Sequence, residues 1–379
     1  MRRKALRCWA EVDLSAIRHN LSAIRSLLPH GCEVMGVVKA NAYGHGLADV
    51  SRRLAREGVR RFLVANAAEA EALLRAVPRA WVLLAGPALP DEVEWAVRQP
   101  RLAFAISSEE ELHAIARVAN RARVLTSAHL KVDTGMGRLG CRVDDAAALI
   151  ARAATSRGVR VEGVFTHLAN AEADPAECQL QFARLLAARE AIARRGFRAS
   201  FLHLHNSAAV VNLPADPRLT HARPGIALYG YGEPRAAWRR ALGRRALRLA
   251  LAWKARVALV REVAKGSRIS YGGTFRAPRR MRVGVLPFGY ADGFSRRLSN
   301  LGEVLVRGRR CRVLGRVTMD MTMVDLSRLP AVERGEEVVL IGRQGQEEIT
   351  AREIADRIGT ISYEVLCGIG ARVPRLTVG

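Results

Sequence analysis

A single lysine stands where a short apolar run ends in a loop of small and polar residues. Val37 and Val38 lead into Lys39, and Ala-Asn-Ala-Tyr-Gly-His-Gly follows over residues 40–46. Only five of the 61 Lys and Arg residues are lysines. Arginine can neither form an imine nor give up its proton near neutral pH, whereas lysine can do both. Lys39 is therefore a candidate for covalent catalysis, the alternative being a solvated lysine at a strand end.

An imine-forming lysine points to pyridoxal 5'-phosphate (PLP), and a PLP site needs three further groups. These are an anchor for the phosphate, a partner for the pyridine nitrogen and a second group that transfers protons. Ser207 offers a hydroxyl, and Gly225 and Ile226 offer backbone N–H groups that a phosphate could approach closely. Arg223 is the candidate partner for the pyridine nitrogen, unless it is an ordinary surface arginine.

The elements that must position these residues alternate along the chain. Short apolar runs are separated by segments of helical period, and about eight runs are predicted strands, at residues 33–39, 61–65, 80–85, 102–106, 123–132, 160–165, 200–204 and 219–222. Eight such units predict an α/β protein with a TIM-like (β/α)8 barrel, because each parallel crossover needs a helix and closure removes both sheet edges. The alternative is a doubly wound open sheet, but no G-x-G-x-x-G motif follows the first strand.

Barrel enzymes place their chemistry at the carboxyl ends of the strands. Five predicted strands end in polar side chains, at Lys39, in the segment 131–138, at His167, at Asn206 and Ser207, and at Arg223. After residue 249 the helical periods give way to β-rich runs between glycine turns, at residues 251–263, 281–286, 304–306, 311–325 and 337–341. We therefore predict a PLP-binding barrel domain over residues 1–240 and a mainly β domain over residues 241–379.

Composition narrows the possible partners. The net charge of +25 raises nucleic acid as a partner, but the arginines are spread along the chain and aromatic residues make up only 5%. The densest arginine run, residues 235–248, is predicted to be a solvated helical connector. No apolar run approaches the roughly 18 residues of a membrane span, and the basic N-terminus lacks an apolar segment behind it. We expect a cytoplasmic protein that binds neither membrane nor nucleic acid.

The six cysteines are scattered and contain no C-x-x-C pair. This spacing predicts neither a disulfide framework nor a metal site.

Seven motifs, in this order, resemble those of the PLP-dependent alanine racemases of fold-type III. They lie at residues 38–46, 131–140, 222–226, 270–272, 289–293, 317–320 and 362–367. The resemblance extends from Trp9 to about Arg375. It implies a homodimer whose subunits each combine a barrel with a β domain, and which interconverts L-alanine and D-alanine to supply D-alanine for cell-wall peptidoglycan.

The resemblance also assigns roles to individual residues. Lys39 would carry PLP as a Schiff base, and Arg223 would face the pyridine nitrogen. The remaining residues expected to hold the cofactor are Tyr43, Asn206, Ser207, Gly225, Ile226 and Tyr363. The substrate-binding residues would be Arg138, Tyr290 and Met319, the last contributed by the partner subunit.

The resemblance implies a two-base reaction through an external aldimine. Lys39 would act on one face of the substrate and Tyr271, from the other subunit, on the opposite face. A free tyrosine is a poor base at neutral pH, and His167 and Arg223 would assist it by hydrogen bonding. Lys131 would be carbamylated and would then orient Arg138 as an anion, the alternative being an unmodified lysine.

Three other functions remain open at the level of the sequence. A serine or broad-specificity racemase could use the same scaffold, because the sequence does not size the pocket beside Tyr290 and Met319. A non-catalytic PLP carrier would need only the barrel, and the presence of Tyr271 and Met319 in the β domain argues against it. A basic nucleic-acid binder would use the arginine-rich run at 235–248.

Overall fold

The computed structural model describes residues 6–379. The chain divides into two compact units. The barrel unit comprises Ala16–Ala42 and Gly46–Arg248. The β unit comprises the segment up to Ser15, Tyr43–His45 and the segment Leu249–Gly379. The domain boundary predicted at residue 240 stays a prediction.

The barrel unit is built on eight parallel strands. In chain order they are Glu33–Val37, Arg61–Val64, Trp81–Leu84, Leu102–Ile106, Thr126–Asp133, Val159–Phe165, Phe201–His203 and His221–Ala222. Each strand pairs with the next, and the eighth closes the ring through the register of His221 with Glu33. The predicted (β/α)8 barrel is therefore confirmed, and the open-sheet alternative is excluded. A two-residue strand, Cys141–Arg142, pairs in parallel with the end of the fifth strand at Val132 and Asp133.

Helices connect the barrel strands, as parallel pairing requires. They are Leu14–Arg25, Leu47–Arg56, Ala67–Ala76, Pro90–Ala96, Glu109–Ala122, Ala146–Thr155, Pro175–Arg194, Ala209–Asn212 and Arg235–Leu242, with 3₁₀ turns at Ile226–Tyr229 and Gly243–Arg245. Several begin at a polar cap, as at Ser108, whose side chain accepts the N–H of Glu111 at 3.2 Å. Such caps explain why the helix starts were readable from the sequence.

The first barrel strand ends at Val37, two residues earlier than predicted, because the backbone then turns left-handed. Ala40, Asn41, Ala42 and Tyr43 all have φ between 51° and 55°. This conformation costs roughly 1–2 kcal/mol for each residue that has a side chain. Hydrogen bonds hold the turn, including Ala42 N–H to the Val38 carbonyl at 2.8 Å and Ala40 N–H to Glu69 Oε1 at 2.7 Å.

The described part of the β unit contains three sheets. The largest is made of Cys8–Asp13, Leu251–Arg256, Glu303–Val306, Arg309–Arg312, Glu337–Gln344, Glu347–Ile349 and Arg375–Val378. The smaller sheets are Leu259–Val263 with Met281–Leu286 and Thr322–Asp325, and Arg268–Ile269 with Phe275–Arg276. The helices are Ala351–Ile358 and Ser362–Cys367, with 3₁₀ turns at Tyr271–Gly273, Tyr290–Asp292 and Arg296–Leu298. The predicted mainly β character of this region is confirmed.

Cys8–Asp13 is the first strand within the described residues, and it lies in the β unit. It pairs antiparallel with Leu251–Arg256 and parallel with Arg375–Val378. The predicted division had placed it with the barrel. Both partners lie about 240 residues or more away in sequence, so no local pattern identifies them.

The arginine-rich run at 235–248 forms a helix and a 3₁₀ turn. Trp238 and Leu242 are buried, whereas the arginines are exposed to solvent. Within residues 6–379, no helix is long and apolar enough to cross a membrane.

Candidate active site

Four basic side chains gather at the carboxyl ends of the barrel strands. Burial, followed by the charges of Arg223, Arg138, Lys131 and Lys39, lowers the pKa of His167 to about 3. His167 is therefore neutral at physiological pH. The structure thus brings together five residues that the sequence predicted from four separate strand ends.

Burial and the same positive charges also lower the pKa of Lys131. Its side chain is buried on the fifth strand, and its ammonium lies 5.7 Å from the centre of the Phe165 ring. Burial, then the neighbouring Arg138 and Arg223, lowers the pKa of Lys131 to about 8. About a tenth of this lysine is therefore an uncharged amine at pH 7, far more than for a lysine with its usual pKa.

Asp133 follows Lys131 but is occupied by the loop it begins. Its carboxylate accepts the N–H groups of Gly135 and Gly137 at 2.9 Å and of Met136 at 2.8 Å. Burial acts to raise the pKa of Asp133, but these three bonds outweigh it and the pKa is lowered. The carboxylate therefore shapes the loop that carries Arg138 and stays ionised, as one negative charge beside the basic groups Lys39, Lys131, Arg138 and Arg223.

Arg223 lies at the end of the eighth strand and is almost completely buried. It donates from Nη1 to His203 Nδ1 at 2.8 Å, and from Nη2 to the carbonyl oxygens of Thr166 at 2.6 Å and Leu204 at 3.2 Å. Burial lowers the pKa of Arg223 to about 9, so the guanidinium stays charged at neutral pH. The reading of Arg223 as an ordinary surface arginine is therefore wrong.

Gln181 was missed by sequence reasoning. This fully buried side chain, on the helix Pro175–Arg194, accepts the N–H of Ala169 at 2.9 Å and donates to Thr134 Oγ1 at 3.2 Å. It also lies 3.4 Å from the carbonyl of His167. One amide therefore connects the loops that follow the fifth and sixth strands. A lone glutamine on a helix carries no sequence signal for such a role.

Hydrogen bonds within the protein connect the residues that were predicted to bind the phosphate. Ser207 Oγ accepts the N–H groups of Gly225 at 2.9 Å and Ala227 at 3.2 Å, and so joins the ends of the seventh and eighth strands. Asn206 Oδ1 accepts the N–H of Ala209 at 3.0 Å and thereby begins a short helix. The sequence predicted that the Gly225 N–H would bind a phosphate directly, whereas in the structure this N–H donates to the Ser207 hydroxyl.

Five of the predicted residues belong to the β unit, namely Tyr43, Tyr271, Tyr290, Met319 and Tyr363. The rings of Tyr43 and Tyr363 lie 6.0 Å apart at an angle of 52°. Tyr271 is 70% exposed and Met319 is 52% exposed. Tyr290 begins a 3₁₀ turn, where its N–H binds the carbonyl of Thr318 at 3.0 Å.

The basic cluster in the barrel unit fits PLP. Lys39 supplies the amine that an imine requires, and Arg223 offers buried N–H donors. The cluster of Lys39, Lys131, Arg138 and Arg223 carries an excess of positive charge, because, within residues 6–379, Asp133 is the one carboxylate among the charges that act most strongly on Lys131. A ligand that carries a phosphate, together with a substrate carboxylate, would supply the missing negative charge.

Comparisons with known proteins agree over almost the whole chain. Residues 12–233 match the family model "Alanine racemase, N-terminal domain", and residues 250–377 match "Alanine racemase, C-terminal domain". The alanine racemase of Symbiobacterium thermophilum is 43% identical over 98% of this chain and 97% of its own length. That of Desulforamulus reducens is 39% identical over 98% of this chain and 99% of its own length.

Solved structures show the same relationship. The alanine racemase of Clostridium difficile 630 superposes with a TM-score of 0.93 at 32% identity, covering 99% of this chain and 96% of that one. The alanine racemase of Bacillus anthracis with bound L-Ala-P gives a TM-score of 0.90 at 35% identity, covering 99% of this chain and 95% of that one.

Proposed function

Because the chain belongs to the alanine racemase family of isomerases, we propose that it interconverts L-alanine and D-alanine with PLP as its cofactor. The observation that carries the proposal is the convergence of Lys39, Lys131, Arg138 and Arg223 around the neutral His167. We further propose that the protein acts in the cytoplasm and that its product D-alanine serves peptidoglycan synthesis, a role that the family resemblance implies.

Cofactor binding is assigned residue by residue. Lys39 would hold PLP covalently, and Arg223 would face its ring nitrogen. The residues proposed to hold its phosphate region are Tyr43, Asn206, Ser207, Gly225, Ile226 and Tyr363. When bound, PLP would delocalise the electron pair left after proton removal and so acidify the Cα–H of alanine.

Arg223 supports this assignment because its environment keeps it a fixed donor. Three of its N–H groups bind protein acceptors, and burial keeps the guanidinium in place. A guanidinium has no acceptor site, so it can hydrogen-bond a ring nitrogen only by donating to it. Arg223 would therefore stabilise the unprotonated ring nitrogen.

Proton transfer requires one group on each face of the substrate Cα. Lys39 would remove the proton from D-alanine and return one to the same face in the reverse reaction. Tyr271 of the partner subunit would remove the proton from L-alanine. His167 is neutral and can hydrogen-bond a tyrosine hydroxyl without adding charge.

The substrate carboxylate would be held by Arg138 and by the backbone N–H of Met319 of the partner subunit, beside Tyr290. This arrangement needs a homodimer. The exposure of Tyr271 and Met319 in the single chain supports it, since large apolar surfaces commonly mark association sites.

Lys131 would act as a carbamate. Its lowered pKa provides the neutral amine, whose nitrogen bonds to the carbon of CO₂ and releases one proton. The resulting anion would hold Arg138 in place by charge-assisted hydrogen bonds. Enzyme equilibrated with ¹³C-labelled bicarbonate should give one carbamate carbon signal that Lys131→Met lacks, and an identical spectrum for both proteins would contradict this role.

The decisive experiment follows exchange of the Cα proton of L-alanine and D-alanine in deuterated buffer. Lys39→Ala and Tyr271→Phe should both lose racemisation, with residual exchange biased in opposite directions. Lys265→Ala, which removes an exposed lysine, is the control and should match wild type. Equal residual exchange of the two enantiomers in both variants would refute the two-base assignment. L-serine in the same assay tests a broader substrate range.

A further inference from the structure

Two histidines extend Arg223 into a buried hydrogen-bonded chain that crosses the barrel interior. Arg223 Nη1 lies 2.8 Å from His203 Nδ1, and His203 Nε2 lies 2.7 Å from His129 Nδ1. Both imidazoles are fully buried, and Arg223 is 4% exposed. His129 does not belong to the predicted site, and its role has to be found in what it does to His203.

His129 reaches His203 across an intervening strand. His129 lies on the fifth barrel strand and is in register with Gly163 on the sixth, and Phe165 on the sixth is in register with His203 on the seventh. A Cβ atom at Gly163 would lie 2.6 Å from His129 Nδ1 and 2.7 Å from its Cε1. The imidazole therefore occupies the space where any other residue at position 163 would place its side chain.

Aromatic packing fixes both rings. The His129 ring stacks on Phe201 with centroids 5.3 Å apart and planes at 14°. The His203 ring stacks on Phe165 with centroids 4.6 Å apart and planes at 10°. The stacks hold the planes of both rings, and the hydrogen bonds to Arg223 and between the two imidazoles decide which nitrogen each ring presents.

Only one arrangement of protons satisfies both hydrogen bonds of the Arg223–His203–His129 chain. The Arg223 guanidinium only donates, so His203 Nδ1 must be the unprotonated nitrogen and Nε2 must carry the hydrogen. His203 Nε2–H then donates to His129, whose Nδ1 must also be unprotonated. Burial lowers the pKa of His129 to about 3 and that of His203 well below its usual value, so both rings are neutral.

We propose that His129 is a positioning residue for the racemase reaction, which locks His203 in the Nε2–H tautomer and thereby keeps an acceptor in front of Arg223. This rests on the proposed function, in which Arg223 faces the ring nitrogen of PLP. Without the acceptor at position 129, His203 gains the alternative Nδ1–H tautomer, which cannot accept a bond from Arg223. The guanidinium then loses one of its three anchors.

The first test is independent of catalysis. Histidine-selective ¹⁵N-labelled holoenzyme should show pyridine-like Nδ1 and pyrrole-like Nε2 signals for both His129 and His203, assigned through the variants His129→Asn and His203→Asn. A pyrrole-like Nδ1 on His203 in the wild-type protein would overturn the proposal outright.

The second test separates the acceptor from the volume of the ring. The Oδ1 atom of asparagine occupies nearly the position of histidine Nδ1, so His129→Asn keeps an acceptor but loses volume. His129→Phe keeps a ring and loses the acceptor. We expect His129→Asn to keep kcat within about threefold of wild type, while His129→Phe lowers kcat roughly ten- to hundredfold, in line with loss of a hydrogen bond to a charged group.

A third variant and a control keep the proposal testable if His129→Phe fails to fold. Gly163→Ala should displace the His129 ring and change the His203 signals without altering either histidine. His221→Phe replaces another buried histidine, whose ring lies 5.4 Å from Phe201 but which is not bonded to His203. It should lower thermal stability without changing kcat or the His203 signals. If kcat follows thermal stability across all four variants, His129 is only structural and the proposal is wrong.

These experiments also distinguish failure of the proposed racemase function from failure of the proposed role of His129. If wild type neither bound PLP nor racemised alanine, the kinetic comparison would fail for every variant, whereas the tautomers of His129 and His203 would still be measurable. The expected tautomers together with equal kcat in His129→Asn and His129→Phe would overturn the positioning role alone.

Discussion

Replacing Gln181 by methionine should loosen the two loops that carry Arg138 and His167. Methionine has nearly the same length and volume but can neither donate nor accept these hydrogen bonds. Thr134 Oγ1 loses a donor at 3.2 Å but keeps its hydrogen bond with Thr166 Oγ1 at 2.8 Å, so this loss costs about 0.5–1.5 kcal/mol. The N–H of Ala169 loses an acceptor at 2.9 Å but can reach water, so its loss costs about 0.5–1.5 kcal/mol.

The expected decrease in the free energy of unfolding is therefore about 1–3 kcal/mol, measured by urea denaturation of the holoenzyme. The Michaelis constant for alanine should rise as well, because Arg138 is the proposed carboxylate ligand. Gln99→Met is a matched control, since that side chain makes a single long contact with the Trp95 carbonyl at 3.4 Å. If Gln181→Met and Gln99→Met changed stability equally, the bridging role of Gln181 would be refuted.

Two further predictions concern backbone space and acidity. Gly44 and Gly31 both have positive φ, of 81° and 83°. A Cβ at Gly44 would lie 2.1 Å from the Leu366 carbonyl oxygen, whereas a Cβ at Gly31 would meet no atom within 4 Å. Gly44→Ala should therefore destabilise the protein far more than the roughly 1 kcal/mol expected for Gly31→Ala, and equal melting temperatures would contradict this. Acidification should unfold the protein, because burial lowers the pKa of five histidines, namely His129, His167, His203, His205 and His221. In the unfolded chain these histidines bind protons below about pH 6.5, whereas in the native protein they stay neutral. The stability contributed by each is therefore fully present above that pH and falls by up to about 1.4 kcal/mol per pH unit below it. A urea midpoint that stayed constant between pH 7 and pH 5 would argue against neutral native histidines.

Much of the barrel could be predicted because its signals are local. Alternating apolar runs and helical periods identified the eight strands to within a few residues, and the polar residues at their ends pointed to one face. Lys39, Lys131, His167 and Arg223 were found in this way before any contact between them was known. Closure of the ring followed from counting the units.

Other features depended on partners distant in sequence. The strand Cys8–Asp13 lies in the β unit because its partners begin at Leu251 and Arg375. The predicted strand at 311–325 is two shorter strands, Arg309–Arg312 and Thr322–Asp325. β pairing is decided by what a strand packs against, and composition alone does not reveal the partner.

The sequence by itself determined which residues could do chemistry and at which strand ends they would lie. Residue type limits the possible chemistry, and the period of apolar residues limits the local backbone. Only the tertiary structure decided the states of these groups. Burial and converging charges make His167 neutral and lower the pKa of Lys131 to about 8, while strand register places His129 over Gly163 and against His203. These are consequences of desolvation and of distances between strands, which arise only when the barrel closes.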